Sequence, residues 1–340
     1  MKRCIALAKK GLGKTSPNPL VGCVVLDKNG NLISEGYHKK CGDSHAERDA
    51  LSKLKPGQAQ GGTLIVNLEP CSHFGKTPPC TDIIIEHKLK TVVIGMKDPN
   101  TKVDGIAKLK SAGIDVLCGI MEKECQELNE IFLVNQIEKR TFIALKTAST
   151  LDGKIAAKSG DSKWITGEKA RLYSKKLRKQ YDAILTSSST IIADNPEMKH
   201  SVKIILDRNL KTDFYNSKIY KQGEIYVFCA DLANPPNNIK NINFIKTPVI
   251  AQKLDLKFIF KKLYELGIMS VFVEAGGKLS GEILPFADKI YHFIAPKITG
   301  DNNAKSVFDF RNIDKISQCL NFKFLTIKKI ANDMLVIYKK

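Results

Sequence analysis

Short β-rich runs alternate with helical stretches along the whole chain, and that alternation restricts it to an α/β architecture. In the first half, Val21–Leu26 and Leu32–Gly36 read as a hairpin around Asn29-Gly30, a dipeptide suited to tight turns. A helix over 45–54, strand Leu64–Asn67, a helix over 79–88, strand Thr91–Gly95, a helix over 103–112 and strand Ile114–Leu117 follow. One further helix is expected over 121–138, where Cys125, Leu128, Ile131, Phe132 and Asn135 recur at helical spacing. Glu138-Lys139-Arg140 marks a boundary, dividing the chain into domains 1–140 and 141–340. The second half holds strands Phe142–Lys146, Ala183–Thr186, Lys203–Leu206, Ile225–Phe228, Val271–Glu274, Ile290–Ala295 and Met334–Tyr338, with a helix near 168–180. The stretch 231–250, with Pro235-Pro236 and several Asn, reads as a surface excursion.

No apolar run approaches the ~18 residues of a membrane helix. The basic N-terminus has too short an apolar core for a secretory signal. A cytoplasmic protein with no membrane partner is therefore expected. The nine cysteines then read as thiols or metal ligands rather than a disulfide framework. The net charge of +19 is uneven, about +5 over 1–140 and +14 over 141–340. No block of five like charges exists and aromatics are 7%. That pattern lacks a stacking platform and favours an anionic small molecule over nucleic acid.

Chemistry enters with Ser44-His45-Ala46-Glu47, then Leu68-Glu69-Pro70-Cys71, then Cys80. One His and two Cys suffice to hold Zn²⁺ with a fourth position open, the catalytic arrangement. A zinc ion so held lowers a water's pKa to about 7. Glu47, two residues after His45 on a first helical turn, reaches that position as a proton shuttle rather than a ligand. His-x-Glu followed by Pro-Cys and a second Cys is the logic of zinc deaminases. Cys71 and Cys80 enclose eight residues, however, and nucleic-acid editors enclose two. The remaining cysteines lack ligand spacing and read as packing residues; His38, His87, His200 and His292 read as lone structural or exposed histidines. Gly11-Leu12-Gly13-Lys14-Thr15 fails the phosphate-loop motif, because Ala8 stands where its first glycine belongs.

The insertion Ser72-His73-Phe74-Gly75-Lys76-Thr77-Pro78-Pro79, with Thr15-Ser16-Pro17-Asn18-Pro19-Leu20-Val21-Gly22 upstream, resembles the deaminase domain of the bifunctional riboflavin-biosynthesis deaminase/reductase family. The resemblance implies zinc ligands His45, Cys71 and Cys80, the shuttle Glu47, and Asn18 in the pyrimidine pocket. His73 and Lys76 either touch substrate or are solvated loop residues.

In the second half, Val271-Phe272-Val273-Glu274-Ala275-Gly276-Gly277-Lys278-Leu279 runs from an apolar strand through paired glycines into a helix start, a join that admits a phosphate. It is not Gly-x-Gly-x-x-Gly, so an ordinary Rossmann assignment fails. Together with Lys146-Thr147-Ala148-Ser149-Thr150-Leu151-Asp152-Gly153-Lys154, Ser162-Lys163-Trp164-Ile165-Thr166 and Thr190-Ile191-Ile192-Ala193-Asp194-Asn195-Pro196, it resembles the reductase domain of the same family. The implied fold is an N-terminal cytidine-deaminase-like α/β/α domain and a C-terminal dihydrofolate-reductase-like α/β domain. The implied cofactors are Zn²⁺ and NADPH. By position, Ala148, Trp164, Thr190, Asp194 and Gly276, Gly277, Lys278, Leu279, Ser280, Gly281 and Glu282 would line the NADPH site. Ser162, Arg178, Met198 and Glu274 would face the substrate, and Asp194 would supply or orient a proton. The family's Arg after Asp-Asp-Pro-x-Leu is missing, since this chain has Ser201 there. Lys199, His200 or Lys203 are candidate replacements.

The expected function is zinc-dependent deamination of 2,5-diamino-6-ribosylamino-4(3H)-pyrimidinone 5′-phosphate, then NADPH-dependent reduction of its ribosyl group. The partner is that phosphorylated pyrimidine, with no nucleic acid, and the resemblance implies a homo-oligomer. Two other readings stay open: a nucleic-acid zinc deaminase with an appended basic binding domain, and a deaminase with a non-catalytic second domain.

Overall fold

In the computed structural model, which describes residues 1–74, 78–236, 239–309 and 313–340, the apolar runs of each half become the inner strands of a separate sheet. The chain divides into two units, Met1–Lys139 and Arg140–Lys340.

The first unit runs α1 (Lys2–Ala8), β1 (Gly22–Leu26), β2 (Leu32–Tyr37), α2 (Ala46–Leu51), β3 (Thr63–Leu68), α3 (Cys80–Glu86), β4 (Thr91–Met96), α4 (Gly105–Ser111), β5 (Asp115–Cys118), α5 (Glu122–Leu128) and α6 (Glu130–Glu138). Its sheet has the order β2-β1-β3-β4-β5. β1 is antiparallel to β2 and β3, and β3, β4 and β5 are parallel. Alternate residues of β1 point to opposite faces. Cys23 and Val25 join the main core, while Val24 packs with Cys4 and Leu7 of α1. α2 lies hard against β2 because Gly36 has no side chain. A Cβ there would stand 2.5 Å from the Ala46 carbonyl oxygen and 2.6 Å from the Ala50 nitrogen.

The helix expected over 121–138 is two helices. The chain breaks at Asn129, whose side chain is taken up by the distant residue Leu20: Oδ1 accepts from the Leu20 N–H at 2.8 Å and Nδ2 donates to the Leu20 carbonyl at 3.1 Å. A helix-period pattern continues through the break, so the sequence does not reveal it.

The second unit runs β6 (Phe142–Ser149), β7 (Lys154–Ala156), α7 (Glu168–Arg178), β8 (Ala183–Ser187), α8 (Ser188–Asp194), β9 (Val202–Leu206), β10 (Glu224–Ala230), β11 (Ile242–Thr247), β12 (Val249–Ile250), β13 (Lys253–Leu254), α9 (Leu256–Glu265), β14 (Ser270–Glu274), α10 (Gly277–Ile283), β15 (Lys289–Ile294), β16 (Lys305–Ser306), β17 (Lys323–Ile330) and β18 (Asp333–Lys339). Nine strands form one sheet in the order β11-β10-β9-β8-β14-β6-β15-β18-β17, parallel except where β18 pairs antiparallel with β15 and β17. The central strands β8 and β14 are buried end to end, as parallel strands covered on both faces must be. The expected excursion over 231–250 contains the edge strand β11. Phe244 and Ile245 pack on opposite faces of the sheet there, which is what draws this polar-flanked segment into it. No helix among the described residues is long and apolar enough to cross a membrane.

Candidate functional site

Three side chains separated in sequence converge beside α2. His45 is the N-cap of α2 in extended conformation, so its ring leaves the helix at the N-terminal end. Cys71 follows β3 after Glu69-Pro70, and Cys80 opens α3. Their ligand atoms lie within 4.8 Å of one another, with His45 Nδ1 3.6 Å from Cys71 Sγ and 3.4 Å from Cys80 Sγ. Zn–S bonds of about 2.3 Å and Zn–N bonds of about 2.0 Å at tetrahedral angles place N and S roughly 3.5 Å apart. The donor set therefore fits zinc both in chemistry and in spacing. Hydrogen bonds from Cys80 and His45 hold the Cys71 thiol well below the ordinary cysteine range, favouring the thiolate a metal requires.

Glu47 sits on the first turn of α2, 3% exposed. Burial, reinforced by Cys71, pushes its carboxyl up to about 7. It faces the same cavity as His45 and Cys71, of about 470 Å³, whose other walls include Asn18, His38, Cys41, Glu69, His73, Asp98 and Asn100. The wall carrying Asn18 is braced from behind. Asn67 Nδ2 donates to the Leu20 carbonyl at 2.9 Å, Asn67 Oδ1 accepts from the Gly22 N–H at 2.7 Å, and Asn129 grips Leu20 as described. Glu69 is structural: its carboxylate accepts from the backbone N–H groups of Asp98 and Ile106.

Two expectations about this region need correction. His38 is not a lone histidine, because it is buried in the cavity wall with Asn18 Nδ2 3.1 Å from its Nε2. Cys41, which lines the cavity, and the exposed Cys118 and Cys319 are not core packing residues, although Cys4, Cys23, Cys125 and Cys229 are buried. Lys76 lies outside the described residues.

The second unit has a cavity of about 730 Å³. Ala148, Trp164, Thr190, Asp194, Gly276, Gly277, Lys278, Leu279 and Ser280 line it, as do Ser162, Arg178, Met198 and Glu274. Gly281 and Glu282 do not. They lie one turn further along α10, where Gly281 is buried and Glu282 pairs with Lys253 at 2.8 Å. Gly276 faces open space in the cavity, while Gly277 backs onto the strand behind it, where a Cβ would stand 2.0 Å from the Ser306 carbonyl oxygen. This pair lets a ligand approach the backbone on one side and β16 close in on the other. The volume, the glycine wall, the Thr190 hydroxyl and the Lys278 ammonium together suit a phosphate-bearing dinucleotide such as NADPH.

At the floor lies a charge cluster that the sequence motifs only half disclosed. Glu274 is 8% exposed and pairs with Arg178 Nη2 at 2.6 Å, with Lys146 Nζ at 3.8 Å and with the Ser174 hydroxyl at 3.1 Å. Burial holds the Lys146 ammonium below the usual lysine pKa. Lys146 opens the Lys146–Lys154 motif, and nothing in that motif points to its role. Its partner is 128 positions away, so only the β6–β14 pairing reveals the contact.

The candidate replacements for the missing arginine turn away. Lys203 is 2% exposed, and its ammonium donates to the carbonyls of Ile219 and Gln222. His200 bonds the carbonyls of Tyr181 and Val202, and Lys199 pairs with Glu197. Asp152, at the heart of another motif, is a brace: it accepts from Thr150 and from the N–H groups of Thr299 and Gly300.

Comparison with known proteins finds relatives of both units. The family model for the cytidine and deoxycytidylate deaminase zinc-binding region matches residues 1–96, and that for the RibD C-terminal domain matches residues 141–336. The riboflavin biosynthesis protein RibD of Actinobacillus pleuropneumoniae is 39% identical, covering 99% of this chain and 94% of its own. The Escherichia coli RibD is 34% identical over 98% of this chain and 96% of its own. The chain belongs to the RibD family. A solved RibD-type structure, the diaminohydroxyphosphoribosylaminopyrimidine deaminase/5-amino-6-(5-phosphoribosylamino)uracil reductase of Thermotoga maritima, superposes with a TM-score of 0.88 at 39% identity, covering 100% of this chain and 97% of that one. Acinetobacter baumannii RibD gives 0.87 at 33% identity, covering 99% and 97%. As a RibD protein the chain is a bifunctional deaminase and reductase of riboflavin biosynthesis, with zinc and NADPH as its cofactors. It acts on a small molecule.

Proposed function

We propose that the two units act in turn on one phosphorylated pyrimidine. The first deaminates 2,5-diamino-6-ribosylamino-4(3H)-pyrimidinone 5′-phosphate, and the second reduces the ribosyl group of the product to ribityl. The observation that carries this reading is the convergence of His45, Cys71 and Cys80 into one candidate metal cluster, with His45, Cys71 and the buried Glu47 carboxyl facing one cavity of small-molecule size. The Thermotoga maritima relative, a diaminohydroxyphosphoribosylaminopyrimidine deaminase/5-amino-6-(5-phosphoribosylamino)uracil reductase by name, supports the choice of substrate.

In the first unit His45, Cys71 and Cys80 would hold the zinc ion, which supplies a nucleophilic water at neutral pH. Glu47 takes the proton of that water and returns it to the departing amino group. A C–O bond forms, the C–N bond breaks, and ammonia leaves. Asn18, which lines the same cavity, meets the pyrimidine, with the exposed His73 also in the lining.

In the second unit NADPH, when bound, supplies a hydride at C1′ of the ring-opened ribosyl group. Ala148, Trp164, Thr190, Gly276, Gly277, Lys278, Leu279 and Ser280 form its bed. Arg178, with Ser162 and Met198 beside it, receives the substrate phosphate. Its Nε is buried with no hydrogen-bond partner among the described residues, which suits a group awaiting an anion. Lys146, held by Glu274, donates the proton that balances the hydride, and Asp194 orients the substrate from the exposed end of α8. The uncovered edge strand β17, with Phe324 56% and Ile327 53% exposed, supports a homo-oligomer. The nine unpaired thiols suit the reducing cytoplasm.

The test is to incubate the enzyme with the pyrimidinone phosphate and NADPH while following ammonia and nicotinamide absorbance. Both signals are expected, in that order. Ammonia without NADPH oxidation would reduce the claim to a deaminase, and neither signal would remove both halves.

A further inference from the structure

Among side chains that the mechanism leaves unused, His38 stands out, because it is buried in the wall of the deaminase cavity and both ring nitrogens are engaged. Nδ1 lies 3.1 Å from the Ser44 carbonyl oxygen and Nε2 lies 3.1 Å from Asn18 Nδ2. A carbonyl oxygen accepts and never donates. Nδ1 must therefore carry the proton. In the neutral ring Nε2 is then a lone pair, and a lone pair requires a donor opposite it. Of the two ends of the Asn18 amide only the NH₂ end can serve. Flipping the amide would set Oδ1 against Nε2, two acceptors facing each other in a buried site.

We propose that His38 is a positioning residue for the deamination: through its Nδ1–H tautomer, set by Ser44, it locks the Asn18 amide so that Oδ1 is always turned away from His38 and offered to the substrate. The proposal rests on the reading of Asn18 as a pyrimidine contact. It adds a specificity rule, that the substrate group read there by Oδ1 is a hydrogen-bond donor, so a ring that presents only an acceptor to Oδ1 loses that contact. Ser44 immediately precedes the metal-ligating His45, so one short segment sets both the metal and the substrate-reading amide. Asn67 and Asn129 complete the device by gripping Leu20, two residues beyond Asn18.

Two substitutions separate this role from mere packing. His38→Phe keeps the ring's shape and removes the acceptor. His38→Gln loses the ring and places an amide oxygen where Nε2 was. The kcat/KM for ammonia release should fall about tenfold in His38→Phe, mainly through KM, the loss expected of one buried neutral hydrogen bond. It should return to within about threefold of wild type in His38→Gln. Zinc content and NADPH oxidation with the pre-deaminated substrate should stay at wild-type levels in both. Recovery by Phe and not by Gln would overturn the proposal, since packing would then be what matters. Nitrogen NMR of the full-length protein labelled in histidine gives an independent readout: protonated Nδ1 and bare Nε2 are expected at His38, and the opposite tautomer would refute the lock. Failure of the parent reading looks different, because Asn18→Ala would then deaminate like wild type while the His38 tautomer stayed as described.

Discussion

Glu47 and His45 are two positions apart at the start of α2, yet their surroundings give them different tasks. His45 leaves the helix from its N-cap towards Cys71 and Cys80, whereas Glu47 is inside the first turn and buried against the cavity. On the proposed reading, Glu47→Gln removes the proton carrier and none of the three atoms that would hold the metal. Ammonia release should therefore fall by a factor of ~10²–10⁴, the usual loss of a general acid–base, while zinc measured by elemental analysis stays at wild-type stoichiometry. Loss of zinc in that variant would make Glu47 a ligand. That His45, Cys71 and Cys80 come together beside Glu47 was legible in the sequence, because a zinc site demands fixed residue types in a fixed order. His38 and Lys146 were not, because each acquires its role from a neighbour brought close only by folding: Asn18 across the Pro-Asn-Pro loop, and Glu274 across paired strands. Lys199, His200 and Lys203 show the converse error, in which charge alone suggested a phosphate contact and backbone carbonyls had already claimed two of them.

At the scale of elements, apolar strands were readable because buried parallel strands admit little besides Val, Ile and Leu, and the runs at β4, β8, β9 and β14 are of this kind. The break between α5 and α6 was not readable, since Asn129 is compatible with a helix until Leu20 takes its side chain. β11 was hidden by its polar flanks and by Pro235-Pro236. The seat of α2 is a further case, in which a single glycine sets how deep a catalytic helix lies. Gly36→Ala would drive a methyl group into the backbone at Ala46 and Ala50, contacts that no flexible side chain can relieve. Overpacking of this type costs about 1–3 kcal/mol, and here the strain falls on the helix that carries His45 and Glu47. The variant should melt several degrees lower and retain less zinc per chain, by calorimetry and elemental analysis. A full zinc complement at the wild-type Tm would show that α2 shifts freely on β2.

At the scale of the whole molecule, each unit has its own sheet, its own core and its own cavity. The charges Glu138-Lys139-Arg140 span the junction of the two units, and Arg140, expected in the first domain, belongs to the second unit, anchored there by a bidentate pair with Asp288. The candidate sites are partitioned in the same way, since among the described residues the His45, Cys71 and Cys80 cluster belongs to the first unit and the glycine wall to the second. Stripping the metal with a strong chelator should therefore separate the two activities. Without an ion, His45, Cys71 and Cys80 lose the group that binds them into one cluster, and metal affinity that was folding free energy is lost with it. Ammonia release should vanish and the melting of the first unit should move down. NADPH oxidation with the already deaminated substrate should continue at its original rate, and added Zn²⁺ should restore the first step. If chelation also stopped the reduction, the second unit would depend on metal in the first, and the independence inferred from two separate cores would be wrong.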